Sequence, residues 1–180
     1  MTSDSHQSGT DRLAEAVSAL GLGEEEIVVN VQGDEPGMPP AVIAQVAATL
    51  GDSAGAVMAT ACWPIASKAE FNDPNVVKVV SDNAGHALYF SRSPIPYPRN
   101  GGNPPACRHI GIYAYRAGFL PVFTSWPVAA LERAESLEQL RVLAHGERIA
   151  VCVAAEKPGE GIDTPEDLQR FVQSISSSAR

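Results

Sequence analysis

The run Ile27-Val28-Val29-Asn30-Val31 constrains this chain more than any other stretch. Apart from Asn30 its residues are apolar and β-branched on both parities, so a strand built from it has no face to give to water. Such a strand suits a parallel sheet covered on both sides. Helical periods flank it. Leu13, Ala16, Val17 and Leu20 fall on one stripe of a helix over 9–20. Pro39 and Pro40 open a second helix reaching residue 50, since proline is tolerated in a first helical turn.

The pattern continues along the chain. Residues 54–64 read as a strand, and 76–81 and 87–91 as two strands joined by the hairpin signal Asp82-Asn83-Ala84-Gly85-His86. A proline-rich loop covers 93–105. Residues 109–116 form a strand, 136–143 a helix and 149–154 a strand. A last helix spans 164–175, where Thr164-Pro165-Glu166-Asp167 supplies a cap, a proline and acids against the helix dipole. Strands alternating with helices indicate an α/β fold with a mostly parallel sheet. The 180 residues read as a single domain, 1–180, with a Ser-rich disordered tail over 174–180.

Bulk properties narrow the partners. A formal net charge of −8 argues against a nucleic-acid backbone or an anionic membrane surface. The longest apolar stretch, 57–65, is too short to span a bilayer, and the first nine residues lack the apolar core of a secretory signal. A cytoplasmic protein is expected. Cys62, Cys107 and Cys152 are odd in number and widely spaced, which indicates reduced thiols and neither zinc nor disulfides.

Chemistry concentrates at Gln32-Gly33-Asp34-Glu35-Pro36, directly after the buried strand. In open α/β sheets ligands bind beyond the carboxyl ends of the strands. Gly33 permits close backbone approach, and Asp34 supplies hard oxygen ligands of the kind Mg²⁺ takes. Taken alone, the pair of acids also fits a solvated turn. A second acid, Asp163, sits in Gly161-Ile162-Asp163-Thr164, between a glycine-rich turn and the start of the last helix. It completes a metal site with Asp34 if the fold joins them; otherwise it is a helix-entry residue.

Six segments then occur in order: His6-Gln7-Ser8-Gly9-Thr10-Asp11-Arg12; Val29 to Pro36; Tyr89-Phe90-Ser91-Arg92 with Ile95-Pro96; Arg108-His109-Ile110-Gly111-Ile112-Tyr113; Leu137-Glu138-Gln139-Leu140-Arg141; and Gly161 to Asp167. Together they closely resemble the 3-deoxy-manno-octulosonate (Kdo) cytidylyltransferase family, over about residues 2–171. The resemblance implies a Rossmann-like nucleotidyltransferase fold with a mixed, mostly parallel sheet and a small hairpin lobe for dimerisation. It implies transfer of CMP from CTP to the sugar acid Kdo for lipopolysaccharide assembly, with pyrophosphate released, by a homodimer using Mg²⁺. Carried over by motif, Asp34 and Asp163 hold the metal and Gln32 contacts the substrates. Ser8 and Gly9 lie near the cytosine, and Arg12, Arg92, His109, Tyr113, Glu138 and Gln139 line the sugar pocket.

These residue types suit the task, because arginine pairs with carboxylates and the others hydrogen-bond hydroxyls. Taken singly, Arg12 reads as a solvated helix residue and Arg92 as a surface charge. His109 and Tyr113 share a strand face if the spacing is regular. Ser136-x-x-Gln139 also matches a capping box, in which Gln139 turns back to the helix start and away from sugar. The family begins with a strand and a loop of the type P-A-R-x-x-S-x-R-L-P-G-K-P that cradles the triphosphate, and no such segment stands in these 180 residues. The expectation is a longer natural product, here without its first βαβ portion, leaving the 27–31 strand with an unpaired neighbour. Two rival readings follow: a non-catalytic remnant that binds sugar acid or a partner subunit, and a metal-dependent glycosyltransferase, which the lack of a D-x-D pair disfavours.

Overall fold

The computed structural model describes residues 2–4, 6, 8–102, 104–159, 161–162 and 164–178. Strands β1 (Ile27–Asn30), β2 (Ala56–Pro64), β3 (Lys78–Ser81), β4 (Ala87–Ser91), β5 (Cys107–Arg116) and β6 (Arg148–Val153) form one six-stranded sheet. β5 organises it. Antiparallel β2 runs along one edge of β5, while β3 and then β1 share the other. β6 lies outside β2 and parallel to it.

The mixed α/β sheet is as expected, but its predominant direction is not. Only β2 with β6 is parallel; β1 pairs antiparallel with β5, and among the described residues with β5 alone. An apolar, β-branched run reports burial, and burial does not encode strand direction. The expected hairpin is present, yet β3 also pairs with β5, so the hairpin continues the main sheet.

Helices cover both faces. On one, α2 (Pro40–Asp52) buries Val42, Val46 and Leu50 completely. They pack against Ile112 and against Ala59, Ala61 and Ala114, whose small side chains admit a close helix. Burying each of the three contributes roughly 1.5–3 kcal/mol. On the other face α1 (Gly9–Leu20), α4 (Phe119–Ser125) and α6 (Leu140–Ala144) cover Met58, Phe90, Tyr115 and Ile149. α1 starts at a capping box in which Ser8 Oγ accepts from Asp11 N–H and Asp11 accepts from Ser8 N–H. Thr164 and Asp167 make the same reciprocal pair before α7 (Pro165–Ser178), which runs past the expected end at 175.

The region 117–145 departs furthest from expectation. It holds α4, α5 (Ala130–Glu135) and α6 in place of one helix over 136–143. Ser136 does not cap the following helix. It ends α5 in the left-handed conformation, φ 53°, with its N–H on Glu132 O. The Ser136–Gln139 capping box therefore does not form, and Gln139 makes no cap bond at the start of α6.

Cys62, Cys107 and Cys152 are free thiols, Cys62 buried. Among the described residues no helix is long and apolar enough to cross a membrane.

Candidate active site

β1 ends at Asn30, and its register sets Asn30 opposite Tyr113 of β5. That pairing lays the Gln32–Gly33 turn over the tyrosine end of β5, while the first turn of α1 closes from above. The result is a cleft of about 290 Å³ lined by Gly9, Thr10, Arg12, Asn30, Val31, Gln32, Gly33, Tyr113, Tyr115 and Glu138. Gln32, Gly9, Arg12, Tyr113 and Glu138, four segments apart in sequence, thus meet at the carboxyl end of β1. Sequence reasoning missed Thr10, Asn30 and Tyr115. Tyr115 was within reach, since residue i+2 shares the face of Tyr113.

Glu138 is held from behind. Thr10 Oγ1 donates to its Oε2 at 2.8 Å, and Arg141 Nη2 lies 3.7 Å from its Oε1. Arg141 is itself fixed by paired bonds to Glu132, from Nε at 2.9 Å and Nη2 at 2.5 Å, and by stacking over Phe123. Burial raises the Tyr113 phenol well above its ordinary value, with Tyr115 and Glu138 adding to the effect, so it stays a neutral donor. His109 shares the face of Tyr113, with ring centroids 5.4 Å apart. Burial pushes its imidazole down to about 3, so it is neutral at physiological pH.

Gln139 is 4% exposed and its Nε2 has no hydrogen-bond partner. Freed from capping, it leaves a buried donor open, which costs free energy until something accepts from it. Ser8, by contrast, spends its hydroxyl on the capping box and lines a neighbouring cavity of about 580 Å³ with Asp11, Trp126, Glu132 and Glu138. Arg92, like His109 and Gln139, is not among the residues lining the cleft. Its Nε donates to Glu135 O at 2.7 Å and its Nη1 to Pro74 O at 3.1 Å, so it ties the end of β4 to neighbouring loops.

Asp34 stands exposed beyond Gly33, and its carbonyl accepts from Ile162 N–H at 2.8 Å. A Cβ on Gly159 would lie 3.4 Å from the backbone of Gly37, so two glycines let the 34–37 and 159–162 segments touch. The fold thereby joins the two acidic motifs; Asp163 itself lies outside the described residues. Among the described residues no three His, Cys, Asp or Glu side chains form a ready metal cluster. An exposed carboxylate such as that of Asp34 is of the type a hard cation takes while sharing its shell with phosphate oxygens.

The family model for cytidylyltransferases matches residues 1–149. The chain is 55% identical to the 3-deoxy-manno-octulosonate cytidylyltransferase of Cellvibrio japonicus (strain Ueda107), over 94% of this chain and 71% of that one. It is 53% identical to the protein of the same name from Vibrio cholerae serotype O1 (strain M66-2), over 100% of this chain and 74% of that one. A solved structure of CMP:2-keto-3-deoxy-manno-octonic acid synthetase complexed with CTP superposes with a TM-score of 0.90 at 42% identity, covering 99% of this chain and 72% of that one. A 4-diphosphocytidyl-2C-methyl-D-erythritol synthase shares the fold, with a TM-score of 0.53 at 13% identity.

Proposed function

The chain belongs to the 3-deoxy-manno-octulosonate cytidylyltransferase family, and from that premise we propose that it transfers CMP from CTP to the anomeric hydroxyl of Kdo. The hydroxyl oxygen attacks the α-phosphorus in line, and the bond to pyrophosphate breaks on the opposite side. One observation carries the reading: the cleft in which Gly9, Arg12, Gln32, Tyr113 and Glu138 converge from distant motifs.

In this reading Arg12 offers its guanidinium to the sugar carboxylate. Tyr113 donates from a neutral phenol, Glu138 accepts from a hydroxyl, and Gln139 gives the ligand its unpaired amide N–H. Gln32 contacts both substrates where they meet. Asp34 and Asp163 would hold Mg²⁺, which would supply charge neutralisation at the phosphates. A homodimer in the cytoplasm, feeding lipopolysaccharide assembly, belongs to the same proposal.

A pyrophosphate-release assay tests it. With CTP, Kdo and Mg²⁺ together the chain is expected to release pyrophosphate, and omission of Kdo or Mg²⁺ is expected to abolish release. Kdo binding without any pyrophosphate release would replace this reading with that of a sugar-acid binder. Among the described residues the cleft has a single cationic lining residue, Arg12, to meet a triphosphate, which is the observation on that side.

A further inference from the structure

β2 and β5 fall out of step at one point. Thr60 pairs with Tyr113 and Ala61 with Ile110, so Gly111 and Ile112 bulge from β5 without partners on β2. The insertion is of two residues, which preserves parity and keeps His109 and Tyr113 on one face. It also withdraws β5 carbonyls from the ladder. The hydroxyl of Thr60, fully buried, fills the gap: Oγ1 lies 2.8 Å from Ile112 O, 3.1 Å from Ile110 O and 3.0 Å from His109 Nε2.

Proton counting decides the direction of each bond. A hydroxyl has one proton and two lone pairs, and a carbonyl only accepts. If Thr60 donated to His109, its oxygen would face two carbonyl oxygens at hydrogen-bond distance with no proton between them. The hydroxyl must therefore donate to a bulge carbonyl and accept from His109, which places the imidazole proton on Nε2. Nδ1 is then an acceptor, and no other hydrogen bond to the ring is present among the described residues.

We propose that Thr60 is a positioning residue: it fixes the Nε2–H tautomer of His109, whose ring lies 5.4 Å from that of the cleft-lining Tyr113, and so leaves Nδ1 as an acceptor for a ligand hydroxyl. The ligand part rests on the function proposed above; the tautomer part does not. The device selects for ligands with a hydroxyl proton to give at that point, because a deoxy or alkoxy analogue leaves Nδ1 unpaired.

The test is a two-bond ¹H–¹⁵N spectrum of the ¹⁵N-histidine-labelled chain near neutral pH. His109 is expected as the Nε2–H tautomer in the wild type and in Thr60→Ser, which keeps the hydroxyl. Thr60→Val, of the same shape without it, should lose the hydrogen bond to Nε2–H, read as a changed Nε2 shift, with or without transfer of the proton to Nδ1. An Nδ1–H tautomer in the wild type overturns the proposal whether or not any variant folds, and so does a Thr60→Val spectrum identical to wild type. In titrations with Kdo, Thr60→Val should weaken binding about tenfold or more while Thr60→Ser stays within about threefold. Equal affinity for Thr60→Val overturns the presentation of Nδ1 to ligand. Failure of Kdo to bind the wild type, with the Nε2–H tautomer intact, overturns the substrate reading and leaves the tautomer assignment standing.

Discussion

Lys78 and Gln139 are both buried polar side chains, and they are treated in opposite ways. The ammonium of Lys78, fully buried, donates to Asp73 O at 2.9 Å, Val76 O at 2.5 Å and Arg92 O at 2.6 Å, which uses all three protons. Arg92 next to it donates from Nε and Nη1 to the carbonyls of Glu135 and Pro74. Around Gln139 the reverse holds, with an amide N–H left open. A polar group satisfied by the backbone holds the fold, whereas a buried donor left open costs free energy until something accepts from it. Arg92, matched to the sugar pocket by motif, makes two of its hydrogen bonds within this same cluster.

The contrast breaks most visibly if turnover and stability move together. Asp34→Asn is expected to lower pyrophosphate release on the order of 100-fold or more. Its unfolding free energy should stay within about 0.5 kcal/mol of wild type, because the carboxylate is exposed. Lys78→Met is the converse. It strands three carbonyls, and urea denaturation should show a loss of about 3 kcal/mol; a loss below about 1 kcal/mol would mean that the cluster is not structural.

Gln139→Leu sharpens the comparison, since it removes a buried donor that the free protein leaves unpaired. Stability should hold or rise by about 1 kcal/mol while Kdo binding weakens about tenfold. Reduced stability with unchanged binding would move Gln139 to the structural side. The smallest effect concerns Glu132. Burial opposes its ionisation, but hydrogen bonds from Arg141 and Ala129 N–H, with the arginine charge, outweigh burial and hold the carboxyl below its ordinary 4.5. A depressed folded value means stability present above the unfolded value and lost as pH falls through the folded one. Acid titration below about pH 4.5 should therefore erode stability, and Glu132→Gln should flatten that limb of the curve.

Much of this was legible where the signal was local. Capped helices at both ends and the β-branched strands stand in the sequence because propensity, caps and periodicity agree there. The directions of the strands do not, since a residue pattern fixes which face is buried and not which neighbour is chosen. α4 carries Pro121 within its first turn and α5 has six residues, so neither shows a full helical period. In the site, the motif residues near Gln32 and Glu138 line one cleft. Thr10 and Thr60 were not legible, because a threonine inside a helix or strand carries no mark until its partner, Glu138 or His109, is placed beside it.

The most direct test of the division between open and satisfied groups is a backbone amide NMR map on addition of Kdo. The account predicts perturbations at Gly9 to Arg12, Gln32, Gly33, Tyr113, Glu138 and Gln139, with Lys78 and Arg92 unmoved. Perturbations centred on Lys78 and Arg92, with the cleft residues silent, would contradict it.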